Sequence, residues 1–281
     1  MDAVKVESIF HPSDFSEASE IAFVHALKIA LLAKAKLSIL HVSASSNAEW
    51  QDFPGVRETL ERWSLIPKGS PRSAVGQLGI DVEKIIASGK DPVKACLAFL
   101  EVHSGDLIVL AVHQHNGHMQ WLAKSVGAPI GYGAGQMTLF IPHGVAGFVS
   151  REDGAISLRN ILIPVTSKPR PQPSLEAASR VIRNLELPAG TVTLLHVGSA
   201  SDAPSLRPPD VKGWTWERQT YAGEPVQTIL QVAEQRSADL IVMTTEGREG
   251  FLDGLRGSTS ERVLRKAHCP VLTLPVGSLL G

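Results

Sequence analysis

The chain has 281 residues, of which 43% are hydrophobic and 20% charged, with 27 lysine and arginine residues against 28 aspartate and glutamate residues. This composition excludes a disordered or collagen-like chain. Because the charge is near neutral, the chain also lacks the strongly basic balance that is typical of nucleic-acid-binding proteins. No apolar run reaches the ~18 residues that span a bilayer, and the N-terminus shows no pattern of a secretory signal. Two cysteines, Cys96 and Cys269, cannot build a disulfide framework. We therefore predict a cytoplasmic protein that binds neither nucleic acid nor membrane.

Short apolar runs rich in β-branched residues alternate with helical patterns along the chain. A helix is predicted over residues 17–32, after Ser16 as its N-cap, and Pro92 and Pro225 each stand at the first position of a further helix. The strands predicted for the first half are 4–11, 36–43, 81–88, 106–113 and 136–141.

The sequence contains an internal repeat. The segment GDLIVL at 105–110 recurs as ADLIVM at 238–243, and the same offset places Ser125 on Ser258 without a gap. The chain is therefore predicted to hold two copies of one unit, residues 1–145 and 157–281. The glycine-rich, charged stretch 144–157 between them is typical of a linker.

Each copy is predicted to be an α/β domain. The uninterrupted apolar runs 107–112 and 240–244 are typical of parallel strands that are covered on both faces. The fold class that follows is two repeated doubly wound domains, each with a five-stranded mostly parallel sheet and helices on both faces. Such folds bind ligands at the carboxyl ends of their strands.

A glycine loop follows the fourth strand of the second copy. Glycines allow backbone N–H groups to approach phosphate oxygens closely, and this loop leads directly into a helix. Arg248 and Arg256 either add charge there or are solvated. The predicted phosphate-binding residues are Gly247, Gly250, Gly257, Ser258 and Thr259.

Two motifs resemble the universal stress protein family. The first copy begins with HPSDFS at 11–16, similar to that family's P-x-D-x-S start, and the second ends with GSTSERVLRKAHCPVLTLP at 257–275, similar to its last helix and strand. The resemblance covers nearly the whole chain and implies a tandem universal stress protein, from a family with ATP-binding and non-binding branches. It also implies that the fifth strands, 136–141 and 271–275, pair so that the domains pack as a pseudo-dimer.

The family's nucleotide-binding residues are divided between the two copies. The first copy keeps Asp14 and Gly117, but Gln114 and Lys124 stand where the pattern has glycines. Gly127 follows Gly117 at the family spacing, but Ala128 comes next, and the repeat alignment rejects this match. The second copy keeps the glycine loop, three residues shorter than the family pattern.

In the second copy Thr166 stands where the family has the aspartate. The resemblance nevertheless implies an adenine nucleotide, ATP or AMP with or without Mg²⁺, in this copy, with backbone near Val165 and Val197 beside the base. The sequence contains no catalytic triad and no P-loop lysine, so we predict a regulatory protein and not an enzyme. Slow hydrolysis of bound ATP stays open.

Two other functions compete with nucleotide binding. One is a nucleotide-free scaffold with decayed sites, acting through protein partners or homodimerisation. The other is a metal site in the first copy, because imidazole nitrogens together with the carboxylate of Asp14 are ligands for Zn²⁺. The histidines of that hypothesis are His11, His113, His115 and His118.

Overall fold

A computed structural model of the chain describes residues 6–43, 49–103, 105–113, 127–245 and 258–275. The chain divides into two compact units, Met1–Ile156 and Ser157–Gly281. Within the described residues, no helix has both the length and the apolar character that crossing a membrane requires. The Gly247, Gly250 and Gly257 positions of the predicted phosphate loop lie outside the described residues.

The described part of the first unit contains a parallel sheet. Its strand order is β3-β2-β1-β4-β5, and each neighbouring pair is parallel. The order reverses direction between β1 and β4, which makes their carboxyl ends the topological switch point of this sheet. The strands are β1 (Ser8–Pro12), β2 (Lys36–Ser43), β3 (Asp81–Ser88), β4 (Leu107–Val112) and β5 (Thr138–Pro142).

Helices connect these strands, and their caps follow from the sequence. The Ser16 side chain accepts a hydrogen bond from the Ser19 N–H at the start of the first helix, and Asp91 does the same for Lys94 at the start of the fourth. The helices are α1 (Glu17–Ala33), α2 (Val56–Arg62), α3 (Ser73–Gln77), α4 (Pro92–Val102) and α5 (Gly127–Ala134), with a 3₁₀ turn at Trp50–Asp52.

The second unit repeats this plan. Its described strands form a parallel sheet in the order β10-β9-β6-β7-β8, so that β6 and β9 meet at the switch point. The strands are β6 (Asn160–Val165), β7 (Gly190–Val197), β8 (Trp214–Tyr221), β9 (Leu240–Thr245) and β10 (Val271–Pro275). The described helices are α6 (Gln172–Asn184), α7 (Pro225–Gln235) and α8 (Thr259–Leu264).

These elements confirm the predicted fold class of two doubly wound α/β repeats. The bounds of β2 and β3 are those expected from the sequence, and Pro92 and Pro225 open α4 and α7 as predicted. β5, predicted at 136–141, begins two residues later and ends one residue later, at Thr138–Pro142. The strands that cross the sheet centre are buried along most of their length, as continuous apolar sequence requires.

The stretch between the repeats, predicted as a linker, packs against the first unit. Phe148 and Val149 are 2% and 3% exposed, and Val149 forms an isolated antiparallel bridge with Ile156. The division between the two units falls after Ile156. This stretch has the composition of a linker because it is rich in glycine and charged residues. In the structure those residues belong to a compact turn of the first unit.

Candidate functional site at the carboxyl edges of the sheets

A pocket of about 300 Å³ opens in the first unit at the carboxyl ends of β1, β2 and β4. This is the position at which doubly wound folds bind their ligands. Helices α1, α4 and α5 supply the rest of its wall. The described lining residues are Pro12, Ser13, Asp14, Ser19, Leu40, His41, Val42, Pro92, Cys96, Leu110, Ala111, His113, Gly127 and Ile130.

The turn from β1 into α1 fixes Asp14 at the rim of the pocket. Asp14 Oδ1 accepts hydrogen bonds from the backbone N–H of Ser16 at 3.0 Å and from its hydroxyl at 2.6 Å. Ser16 in turn caps α1. The carboxylate is therefore held by the same short turn that starts the helix, and its position follows from the capping chemistry of the HPSDFS motif.

Behind this rim lies a buried polar chain. The His11 Nδ1 is 2.8 Å from the carbonyl oxygen of Val109, and its Nε2 is 3.5 Å from the hydroxyl of Ser19. The Ser19 hydroxyl also lies 3.2 Å from that of Ser13. Burial lowers the pKa of His11 to about 4, although the Val109 carbonyl and the charge of Asp14 oppose this shift. The ring is therefore neutral at pH 7, with its proton on Nδ1 and an acceptor on Nε2.

Aromatic rings stand beside the rim. The His41 Nδ1 donates to the backbone carbonyl of Ser13 at 2.8 Å, and its ring stacks on Phe15 with centroids 3.9 Å apart. Phe15 has a φ of 63°, in the left-handed region that non-glycine residues rarely adopt. Phe53 contacts both rings edge-on. The strained Phe15 is thus held by the stack, and such strain is often found beside binding sites.

The floor of the pocket is apolar and tightly packed. Gly127 opens α5 directly over β4, and a Cβ at this position would collide with the carbonyl oxygen of Ala111. Cys96 of α4 is 1% exposed, and burial raises the pKa of its thiol to about 12. Gly127 therefore has a structural reason to be glycine although it does not complete the family's loop pattern.

The second unit has a corresponding edge, where part of the predicted site is described. Val165 ends β6 and is buried, while Val197 ends the adjacent β7 and is half-buried. The two strands are paired such that Val165 lies opposite His196, next to Val197. Ser258 caps α8 by accepting a hydrogen bond from the Glu261 N–H, and Thr259 is its exposed first residue.

Contacts at this edge differ from those in the first unit. The His196 ring lies between two carbonyl oxygens, those of Val165 at 3.2 Å and Ser199 at 3.1 Å. The hydroxyls of Ser174 and Thr244 are hydrogen-bonded at 2.5 Å, which joins α6 to β9. Thr244 is the repeat counterpart of Ala111, which lines the pocket of the first unit. In the second unit a pair of hydrogen-bonded hydroxyls therefore occupies the equivalent position.

The histidines of the metal hypothesis are in part described. Both ring nitrogens of His11 already face protein partners, and the ring of His113 lies 5.0 Å from that of His143. His115 and His118 lie outside the described residues. Among the residues that the structure describes, no group of three or more histidine, cysteine, aspartate or glutamate side chains is positioned to hold a metal ion.

Sequence reasoning missed several residues of the first pocket. It identified Asp14 and His113 as candidates, but not Ser13 in the turn after β1. It also missed Ser19, Cys96 and Ile130, which come from helices α1, α4 and α5. The HPSDFS motif was the available signal for Ser13, because polar residues after a first strand face the carboxyl edge. Cys96 and Ile130 gave no signal beyond a helical apolar pattern.

Comparison with known proteins agrees with the fold. A model of the universal stress protein family matches residues 6–137 and 212–275. A curated universal stress protein of Methanocaldococcus jannaschii is 50% identical over 52 residues, which cover 18% of this chain and 31% of the relative. A curated Thermus aquaticus universal stress protein is 46% identical over 50 residues, 18% of this chain and 36% of the relative. The chain thus spans about a third of the length of the curated relatives it matches.

Solved structures match either nearly the full length of the chain or about half of it. A universal stress protein from Archaeoglobus fulgidus superposes with a TM-score of 0.62 at 19% identity, covering 95% of each chain. A universal stress protein solved in complex with cAMP matches 49% of this chain and 98% of its own, at 19% identity and a TM-score of 0.34. Two repeats of this fold, together with the family match over most of the sequence, show that the chain belongs to the universal stress protein family.

Proposed function

We propose that the protein binds an adenine nucleotide, ATP or AMP, in its second unit and uses it for regulation in a stress response rather than for catalysis. The observation that supports this most directly is the edge formed by adjacent strand ends. Val165 and Val197 end β6 and β7 side by side, where the backbone can meet a base. The doubly wound fold uses this edge for ligands, and the first unit has a pocket at the same edge.

The sequence supplies the phosphate-binding part of the proposal. Gly247, Gly250 and Gly257 provide backbone N–H groups without side chains in the way, and the hydroxyls of Ser258 and Thr259 follow them. Mg²⁺ would accompany the phosphates of ATP, as it does in most nucleotide sites with few protein ligands. These residues hold charge in place but provide no general base, which is why we propose a regulatory role.

One observation favours the alternative function, a nucleotide-free scaffold. The hydrogen bond between Ser174 and Thr244 joins a helix to a strand at the edge where the first unit is open. With Thr166 in place of the aspartate, this contact is consistent with a closed edge that acts only through protein partners. The scaffold function predicts that neither ATP nor AMP binds to the second unit.

The deciding experiment is calorimetric titration of ATP and of AMP, with Mg²⁺, into protein refolded to remove carried-over nucleotide. We expect one site in the wild type, loss of that site in Gly257→Val, and no change in Ala111→Leu, which alters only the pocket of the first unit. Absence of heat in folded wild-type protein would support the scaffold. Loss of ATP binding in Ala111→Leu alone would move the nucleotide to the first unit.

A further inference from the structure

We infer that residues 144–156 form a pH-sensitive switch, in which acid releases this segment from helix α1 while the sheet of the first unit stays folded. We call the segment the strap, since it follows β5, contacts α1 and ends where the second unit begins. Such a switch is separate from the nucleotide proposed for the second unit and does not depend on it.

One buried imidazole holds the strap on α1. The His25 Nε2 accepts hydrogen bonds from two backbone N–H groups of the strap, those of Phe148 at 3.0 Å and Val149 at 3.2 Å. Its Nδ1 donates to the carbonyl of Ile21, so the neutral ring satisfies all three groups. A proton on Nε2 would remove the acceptor and direct an N–H group at two other N–H groups. The protonated ring therefore cannot hold the strap in this position.

The charged groups around the strap pair with one another and leave the imidazole in an uncharged setting. Burial lowers the pKa of His25 to about 4, and the contact that opposes this shift is the Ile21 carbonyl. Arg151 of the strap forms ion pairs with Glu17 at 3.3 Å and Glu20 at 2.7 Å, both on α1. The other charged groups of this region are Lys28 of α1, Arg62 of α2, and Glu152 and Asp153 of the strap.

The sheet side of α1 brings no charge to this imidazole. β4 and β5, which pack against α1, contain no charged residue. The titratable groups of the other two strands have partners of their own. His11 of β1 belongs to the buried polar chain, Lys36 of β2 pairs with Glu83, and His41 of β2 bonds to a backbone carbonyl. The charge state of His25 therefore decides whether the two strap N–H groups have an acceptor.

The strap is closed on itself, which allows it to leave α1 as a unit. Val149 forms an antiparallel bridge with Ile156. The Ser150 N–H donates to the Ala155 carbonyl at 2.9 Å, and the Gly154 N–H donates to the Ser150 carbonyl at 3.0 Å. None of these bonds involves α1, so they persist after release. Segments that are joined to a core by few backbone hydrogen bonds open at a lower free energy than the core itself.

Release of the strap lengthens the connection between the two units. In the docked strap the last bridged residue is Ile156, and Leu158 of the second unit is already buried. Only Ser157 lies between them. After release the whole strap becomes part of the tether, so the switch couples pH to the length of the flexible connection.

The experiment is hydrogen–deuterium exchange of the full chain at pH 7 and pH 5, read by mass spectrometry and corrected for the intrinsic exchange rate at each pH. The pKa of His25 is about 4 when docked and returns to the ordinary 6.5 on release, so the released state binds a proton that the docked state excludes. Docking should therefore weaken about 20-fold from pH 7 to pH 5. Protection of the Phe148 and Val149 amides should fall by the same factor. Carboxyl groups ordinarily titrate near pH 4, so this window reports the histidine.

Local release is distinguished from unfolding of the whole unit by the amides of β4. At pH 5 the strap amides should exchange faster than those of Leu107–Val112, because the strap opens without the sheet. Equal exchange rates in the two segments would mean that acid unfolds the unit as a whole, and would overturn the inference.

Two variants form the matched pair for this measurement. His25→Gln keeps an acceptor for the strap but does not titrate, so its strap amides should have the same protection at pH 7 and pH 5. His268→Gln, at an exposed histidine, should keep the wild-type fall. A wild-type fall in His25→Gln would contradict the role that we assign to this ring.

Trypsin provides a second readout at pH 7.5. The Arg151 carbonyl accepts hydrogen bonds from Arg62 Nε at 2.8 Å and from the Trp63 indole at 3.1 Å, so the docked strap withholds this peptide bond from the protease. His25→Lys places a permanent cation in the same position and should speed cleavage after Arg151 about tenfold or more, because proteolysis follows the population of the open form. Circular dichroism checks that the variant is folded. Folded His25→Lys that resists trypsin as well as the wild type does would also overturn the inference.

Discussion

The Nε2 of His25, in the middle of α1, accepts a hydrogen bond from the backbone N–H of Phe148 at 3.0 Å, across 123 residues of sequence. It also lies 3.2 Å from the N–H of Val149, while its Nδ1 donates to the Ile21 carbonyl at 2.7 Å. A neutral imidazole with this tautomer satisfies all three groups. The contact explains how the stretch predicted as a linker becomes part of the first unit.

This arrangement predicts that acid destabilises the first unit. Burial lowers the pKa of His25 from 6.5 to about 4, and that of His11 to about 4 as well. Between these values the unfolded chain binds protons that the folded chain does not, so stability falls as the pH drops from 6.5 toward 4. At pH 5 each histidine should cost about 2 kcal/mol of unfolding free energy relative to pH 7.5. Urea unfolding at the two pH values measures this loss.

The variant His25→Gln isolates one of the two contributions. It should be less stable than the wild type at pH 7.5, but should lose about half as much further stability at pH 5. His268→Gln, a change at an exposed histidine, is the matched control and should retain the wild-type pH dependence. An unchanged pH dependence in His25→Gln would show that this ring is not the buried neutral group we describe.

The same segment depends on a glycine at a close approach. Gly154 has a φ of 69°, and a Cβ there would lie 2.6 Å from Cδ2 of the Trp63 ring. Gly144 has a similar φ of 80° but nothing within 4 Å of the added atom. Both substitutions by alanine carry the backbone cost of about 1 kcal/mol, and Gly154→Ala adds the displacement of a buried indole.

We therefore expect Gly154→Ala to destabilise by about 2–4 kcal/mol and Gly144→Ala by about 1 kcal/mol, measured by chemical denaturation at pH 7.5. The indole N–H of Trp63 donates to the Arg151 carbonyl at 3.1 Å, so the fluorescence of Trp63 should also change in Gly154→Ala. Equal losses for the two variants would mean that the segment moves away from Trp63 without cost.

The regular elements could be predicted because their signals are local. The apolar runs that became β2, β3 and β9, and the proline-led starts of α4 and α7, each depend on a few neighbouring residues. Because the repeat shows two copies of one unit, the fold predicted for one copy could also be assigned to the other. In these segments local preference and the final fold agree, as is typical of natural sequences.

The packing of residues 144–157 and the pocket of the first unit could not be predicted, because both depend on contacts between residues that are distant in sequence. His25 lies on the apolar face of a helix, and nothing local indicates that it receives N–H groups from Phe148 and Val149. The polar chain behind the pocket likewise joins His11 to Val109, 98 residues later. A pattern of glycines identifies a phosphate loop, but a cavity depends on how several elements pack.

The hydroxyl pair in the second unit gives a prediction about its edge. Ser174 and Thr244 are bonded at 2.5 Å, so Ser174→Ala or Thr244→Val should each destabilise by about 1 kcal/mol. The double variant should lose less than the sum of the two, because the shared bond can be lost only once. A double-mutant cycle by urea unfolding measures the coupling, and strictly additive losses would show that the bond contributes nothing.

Cys96 offers a final prediction, for the first pocket. In a Cys269→Ala background, Cys96 is the single thiol, and burial raises its pKa to about 12, well above the ordinary value of 9.0. Only the thiolate reacts with a disulfide reagent, so labelling of native protein should be slow at pH 8 and should rise about tenfold per pH unit up to pH 10. A thiol with an ordinary pKa would instead level off above pH 9.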